Sequence, residues 1–167
     1  MTSSRPFLLD ANIFIEAHRR YYAFDIAPPF WNALINNANN GRLLSIDRIF
    51  EKELKRGGDE LADWASGSFH QFFASTDEKA VTEAYREIMV WSQGQTQFTG
   101  AAKAEFADAA DSWLVAYALA KDCIVVTHEQ FEPEARKRIK IPNACNAFGV
   151  DYVDTFQMMR ALGVRFL

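Results

Sequence analysis

The stretch that most constrains this chain is Pro6-Phe7-Leu8-Leu9-Asp10-Ala11-Asn12-Ile13-Phe14-Ile15. Phe7 to Leu9 read as a short buried strand, and a helical pattern begins after Asn12. Asp10 thus falls where a parallel strand runs out at its carboxyl end, the edge at which open α/β sheets bind ligands. A carboxylate in that place is costly to desolvate unless a cation or hydrogen bonds compensate it. The competing role is local: Asp is a favoured N-cap, and Asp10 could simply start the helix that follows.

Further along, strands and helices alternate. Ile13 to Tyr22 read as a helix, with a basic and aromatic cluster at His18-Arg19-Arg20-Tyr21-Tyr22. Pro28-Pro29 opens a second helix with an apolar stripe of Phe30, Trp31, Leu34 and Ile35, stopped at Asn39-Asn40-Gly41. Arg42 to Ile46 form a second strand. A third helix follows, capped by Asp47, with Ile49, Phe50 and Leu54 inward and a stop at Gly57-Gly58. Asp59 caps a short fourth helix, and Phe69, Phe72 and Phe73 point to a strand or packed turn. Asp77 to Gln93 form a long helix, and Ala101 to Ala107 a short one. Asp108 to Lys121 is the best-defined helix, with Ala110, Trp113, Leu114, Tyr117 and Ala118 at helical spacing. Cys123 to Thr127 is a buried strand. The basic connector Arg136 to Asn143 leads into a short helix ending at Gly149, then a strand at Asp151 to Val153 and a closing helix at Thr155 to Leu162. This alternation predicts a three-layer α/β/α fold with a central parallel sheet of four to five strands, in one domain spanning residues 1–167.

Composition narrows the function classes. The chain is 49% hydrophobic and 24% charged, ordinary for a globular protein, and carries a net charge of −4. That excludes a generally basic nucleic-acid coat but leaves room for a local basic rim. Cys123 and Cys145 sit in apolar surroundings without paired spacing, which suits buried thiols. No apolar run is long enough to span a membrane and no signal-peptide core precedes the first strand, so a cytoplasmic protein is expected.

Four acidic residues share one kind of address. Asp10 and Glu129 follow strands, while Glu53 and Asp111 lie on helices that can project over the same edge. On a helical wheel Asp111 lies roughly 100° from the centre of the apolar stripe and Asp108 roughly 160–180°, at 3.6 residues per turn. Asp111 is therefore assigned to the site, and Asp108 to helix capping or an outer shell. Glu53 adjoins the inward Leu54, whereas Glu51 faces solvent. Either helical acid alone would be read as a solvated surface charge. Together the four acids repel one another unless cations are bound, and an all-oxygen set suits Mg²⁺ or Mn²⁺.

Taken together, Leu8-Leu9-Asp10-Ala11-Asn12, Glu53-Leu54, Asp111-Ser112-Trp113-Leu114-Val115-Ala116-Tyr117-Ala118 and Val125-Val126-Thr127-His128-Glu129 resemble the PIN-domain family of metal-dependent ribonucleases. The tail from Lys140 to Phe156 resembles a less-studied PIN-like branch. The resemblance implies a PIN-like fold and a catalytic, metal-binding set of Asp10, Glu53, Asp111 and Glu129. Asn12 and Thr127 match positions that support the cluster by hydrogen bonding. Glu129 stands where the family usually has Asp, one methylene longer. RNA is the implied substrate, with 5′-phosphate and 3′-hydroxyl products. Many small members of the family are toxins neutralised by an antitoxin protein.

An acidic centre cannot attract RNA unaided, because phosphate contacts dominate affinity. The candidate rim cations are Arg19, Arg20 and Lys55, with His18, Lys52 and Arg56 beside them. The Arg136 to Lys140 run is a second candidate contact, although such runs are usually solvated faces. Tyr21 and Tyr22 could stack on bases, whereas Trp31 is better read as core. His128 is read as structural, and the aromatic content permits a homodimer without locating an interface. Two other readings compete. A haloacid-dehalogenase-type phosphohydrolase would use Asp10 as a covalent nucleophile, but Asn12 stands in place of its second acid. A non-catalytic PIN-like binding module would keep the fold and bind no metal.

Overall fold

The computed structural model describes residues 5–166. Its strands are β1 (Phe7–Leu9), β2 (Leu43–Ile46), β3 (Phe73–Ala74), β4 (Ile124–Val126) and β5 (Tyr152–Val153). All four pairings are parallel, and the order across the sheet is β3-β2-β1-β4-β5. The helices are α1 (Ala11–Glu16), α2 (Pro28–Asn39), α3 (Asp47–Ile49), α4 (Glu60–Gly67), α5 (Lys79–Gly94), α6 (Gly100–Asp108), α7 (Ala110–Lys121), α8 (Ile141–Phe148) and α9 (Thr155–Leu162). The result is the three-layer α/β/α architecture with a central parallel sheet that the alternating pattern predicts. Among the described residues, no helix is long and apolar enough to cross a membrane.

Both layers beside the sheet are locked by rings. On one side Phe14 of α1 is fully buried, with ring centroids 6.0 Å from Trp64 of α4, 5.4 Å from Phe69 and 6.1 Å from Phe73. Trp31 of α2 joins the same cluster at 4.8 Å from Trp64. The segment around Phe69 to Phe73 is accordingly both alternatives at once: a 3₁₀ turn at His70–Phe72 packed by its rings, then the edge strand β3. On the other side α5, α6, α7 and α8 pack on one another. There Trp113 of α7 stacks on Tyr85 of α5 at 3.9 Å and 10°, with the Arg48 guanidinium 3.8 Å from the Trp113 ring centroid.

The helices after β1 and β2 do not stay regular. α1 passes into a π-helical turn over Ala17–Tyr21, and α3 into one over Phe50–Leu54 followed by a 3₁₀ turn. The backbone N–H of Tyr22 accordingly donates to the carbonyl of Ala17, five residues back, at 2.7 Å.

Two expected features differ. Asp47 does not cap α3; Ile46 is the cap residue, and the Asp47 carboxylate instead accepts from the Thr76 N–H at 3.1 Å and the Thr76 hydroxyl at 2.9 Å. It thereby ties the exit of β3 to the start of α3. The two helices expected over 101–107 and 108–121 are both present, but the boundary between them falls at Ala109, which is extended (ψ 158°), and not before Asp108. Phe106 and Ala110 are buried on either side of the break, so the apolar spacing runs straight through it. Asp108 therefore ends α6 and does not cap α7, which has no side-chain cap.

Phe14 joins α1, which begins directly after Asp10, to the rest of its layer. Truncation to Ala should remove about 3–5 kcal/mol of folding free energy, as for other buried aromatics. Urea unfolding of Phe14→Ala checks this; a loss below about 1 kcal/mol would show that the layer repacks freely.

Candidate functional site

The chain leaves β1 for β2 and β3 on one side, then returns to β4 and β5 on the other. The switch in direction lies between β1 and β4, the crevice where open parallel sheets place ligands. Asp10 follows β1 at that point and Thr127 follows β4. The Asp10 N–H donates to the Val126 carbonyl at 3.0 Å, extending the β1–β4 ladder by one residue. Asp10 is 2% exposed, and its carboxylate makes no side-chain cap to α1. It accepts instead from the Thr127 hydroxyl at 3.1 Å. Asp10 thus occupies the N-cap position of α1 without a side-chain capping bond, and its side-chain partner lies across the crevice on the β4 side.

Asp111 lies in the first turn of α7, with 19% of its side chain exposed. The Arg48–Trp113–Tyr85 stack holds that turn from behind, and the Tyr85 hydroxyl donates to the Ala107 carbonyl at 2.7 Å. Burial pushes the Asp111 carboxyl up to about 6, with Glu129 adding to the rise and Arg138 opposing it. Burial likewise holds the Asp10 carboxyl well above the usual range, reinforced by Asp111 and then Glu129. Asp10 has no ion pair among the described residues.

Glu129 is held on all sides. Its N–H donates to the Thr127 hydroxyl at 3.1 Å. One carboxylate oxygen accepts from the Ile141 N–H at the start of α8, at 2.9 Å. The other accepts from the Arg138 guanidinium at 2.9 Å, and the same Nη2 lies 3.6 Å from an Asp111 carboxylate oxygen.

The structure therefore brings Asp10, Thr127, Asp111 and Glu129 together. Glu53 is exposed on the π-helical turn after α3, near enough to raise the Asp111 carboxyl but outside the buried cluster. Asn12 is half-buried on α1 and lines a concavity with Glu16, Tyr21, His128 and Glu129. Asp108 has 93% of its side chain exposed and lies 3.6 Å from Lys52. Arg19, Arg20 and Lys55 are all exposed, Arg20 paired with Glu16 at 2.9 Å and Lys55 with Glu51 at 3.6 Å. Tyr22 is packed on Phe30, whereas Tyr21 stays 55% exposed. His128 meets the Thr155 hydroxyl of α9 at 3.1 Å.

The residue that sequence reasoning missed is Arg138. Within a run of Arg136-Lys137-Arg138-Ile139-Lys140 nothing marks it as different, and only the path of the loop turns it onto the acids. Carboxylate donors of this kind fit a hard divalent cation. Buried Asp10 in particular has the desolvated, unpaired charge that such a cation relieves. Yet among the described residues no three His, Cys, Asp or Glu side chains form a ready metal cage. Glu129 is drawn toward Arg138 and Ile141, and Glu53 lies outside.

These shifts carry a pH dependence. Between the ordinary value of 3.8 and about 6, folded Asp111 keeps a proton that the unfolded chain has lost. The native state then binds more protons, so stability falls as pH rises through that window. Metal-free protein should lose melting temperature from about pH 4 to about pH 7 more steeply than Asp111→Asn does. Thermal melts across that range check it, and parallel curves for the two proteins would reject the shift.

Three comparisons bear on this arrangement. One chain of the crystal structure of VapBC2 from Rickettsia felis, bound to a DNA fragment from their promoter, superposes with a TM-score of 0.54 at 13% identity. The match covers 89% of this chain and 97% of that one, and at such identity it speaks for the fold alone. Comparison with curated proteins finds no match. A family model described as "Domain of unknown function (DUF4411)" matches residues 7–166, from the first residue of β1 to beyond α9. The chain therefore belongs to the DUF4411 family.

Proposed function

We propose that this protein is a divalent-metal-dependent ribonuclease that hydrolyses RNA phosphodiester bonds. One observation carries the reading. Asp10 and Asp111 are largely withdrawn from water at the switch point of a parallel sheet, Asp111 lies close enough to raise the Asp10 carboxyl, and Asp10 has no ion-pair partner among the described residues. Two such carboxylates are an expensive arrangement for a fold to keep unless a cation joins them. The PIN-like fold supports the same reading, and the resemblance of the Asp10, Glu53, Asp111 and Glu129 segments to PIN ribonucleases adds to it.

Asp10 and Asp111 would hold Mg²⁺ or Mn²⁺, with Glu129 and Glu53 at its border. When bound, the cation supplies acidity toward water and neutralises charge on the phosphate. The rest falls to the chain itself. The Thr127 hydroxyl fixes the rotamer of Asp10, so that the carboxylate is preorganised. The burial of Asp10 excludes bulk water and strengthens every electrostatic contact at that point.

RNA would approach along the open edge beside Glu129. A concavity of about 330 Å³ there is lined by His128, Glu129, Phe131, Tyr152, Phe156 and Gln157. Phe131 and Phe156 are 43% and 44% exposed, and Tyr21 stands exposed near by at a neighbouring concavity. Exposed rings beside a phosphodiester centre suit unpaired bases, which stack without regard to sequence. Arg19 and Arg20 on the π-helical turn after α1 would meet the backbone. The likeness in fold to a chain of VapBC2 supports a further expectation, that this chain is the toxin of a toxin–antitoxin pair with a protein partner.

Asp10→Asn should fold and melt as a single cooperative unit but lose Mn²⁺-dependent RNA cleavage by at least about 10²-fold, since it removes a charged donor used in the reaction itself. Cleavage of a labelled single-stranded RNA, with analysis of the product ends, measures this. Wild-type activity in the folded variant would remove Asp10 from the centre. A covalent aspartyl-phosphate in the wild type would instead favour the phosphohydrolase chemistry.

Mn²⁺ should raise the melting temperature of the wild type and raise that of Asp111→Asn less, because a ligand of the native state stabilises it by mass action. Equal shifts in the two proteins would count against Asp111 as a ligand.

A further inference from the structure

Arg138 lies on the loop between β4 and α8, and that loop is built rather than loose. Gln97 donates to the carbonyls of Pro133 and Ala135, both at 2.6 Å. The Thr99 N–H donates to the Arg136 carbonyl at 3.0 Å. Asn143 of α8 donates to the Glu132 carbonyl at 2.9 Å, and Lys140 pairs with the Glu132 carboxylate at 2.6 Å. Ile139 and Ile141, on either side of Lys140, are buried at 2% and 0% exposure. With its neighbours anchored in this way, Arg138 is delivered to one place. Its guanidinium there reaches two carboxylates from different elements: Glu129 past β4 and Asp111 on α7.

We propose that Arg138 is a resident cation of the acidic centre, occupying the Glu129 side and competing with divalent metal there. The inference rests on the ribonuclease reading and deepens it. Arg138 neutralises part of the charge that a second metal ion would otherwise neutralise, and it engages the second carboxylate oxygen of Glu129. The other oxygen is committed to the Ile141 N–H. What remains is a place for one ion, between Asp10 and Asp111. A second ion on the Glu129 side has to displace a guanidinium that is planar, permanently charged and already hydrogen-bonded. This accounts for the absence, among the described residues, of a ready three-ligand cage in an otherwise strongly acidic crevice.

The test is Mn²⁺ binding to the full chain, by calorimetry and by the loss of the free-ion paramagnetic resonance signal. The proteins compared are the wild type, Arg138→Lys, and two neutral variants, Arg138→Gln and Arg138→Met. Melting in chelator verifies that each is folded, and Arg138→Met retains apolar packing of the stem if Arg138→Gln does not fold. The wild type should bind one Mn²⁺. The neutral variants should bind that ion more tightly by roughly tenfold, the scale expected when one half-exposed like charge is removed, and should admit a second Mn²⁺ on the vacated Glu129 side. Arg138→Lys, which keeps the charge, should stay close to the wild type. Mn²⁺ binding by the neutral variants but not by the wild type would also support the proposal. If Arg138 only props the loop, the neutral variants will melt earlier in chelator but bind Mn²⁺ no more tightly than the wild type. That result overturns the competition while leaving the ribonuclease reading intact. If no protein in the set binds Mn²⁺, both fall together.

Discussion

The structure of the candidate centre depends on one seam, the parallel pairing of β1 with β4. The strands meet where the chain reverses its direction across the sheet, so the residues that leave them enter the same crevice. The Asp10 N–H continues the ladder to Val126, and the Thr127 hydroxyl closes the loop by donating to the Asp10 carboxylate. A buried carboxylate with a single side-chain donor is poorly compensated. That deficit is what the proposed cation would relieve, and every neighbour of Asp10 can be understood by whether it adds negative charge or relieves it.

Asp111 and Glu129 add it, and Arg138 relieves it. The balance is uneven. Arg138 sits hard against Glu129 and only within 3.6 Å of Asp111, while Asp10 has no ion pair at all among the described residues. The crevice is therefore graded, neutralised at the Glu129 side and uncompensated at the Asp10 side. An extra methylene on Glu129, compared with the Asp usual in the resembled family, lets its carboxylate reach both Arg138 and the start of α8. Here the longer side chain serves the loop and the helix end as much as the centre.

The two helical layers do different work around this seam. The Phe14–Trp64–Phe69–Phe73 cluster fixes α1, whose first residue follows Asp10. The Tyr85–Trp113–Arg48 stack fixes α7 two residues beyond Asp111. Each acid is thereby backed by stacked rings, which have few rotamers to lose and hold position by contact over wide faces. The edge beyond Glu129 is different in kind: Phe131 and Phe156 have exposed faces beside a concavity, free to meet something else.

Local signals determined much of this protein. Apolar runs and turn residues located β1, β2, β4 and β5 to within a residue or two, whereas β3 was left between a strand and a packed turn. Asp59 as a cap and Gly149 in the left-handed conformation after α8 were legible because both satisfy a local backbone requirement. Asp10, Asp111 and Glu129 were legible as companions because strand ends and first helical turns point to one edge of a parallel sheet. What the tertiary structure alone decided was how each charge is compensated. The break between α6 and α7 was expected before Asp108 and came at Ala109, because the apolar spacing runs through both places. Asp47 turned from capping to holding Thr76, and Glu53 came to rest outside the cluster. Arg138 alone of its basic run entered the crevice. A side chain's partner across the fold is set by the path of distant backbone and by which charge is left unsolvated there, and neither is recorded in the residues on either side of it.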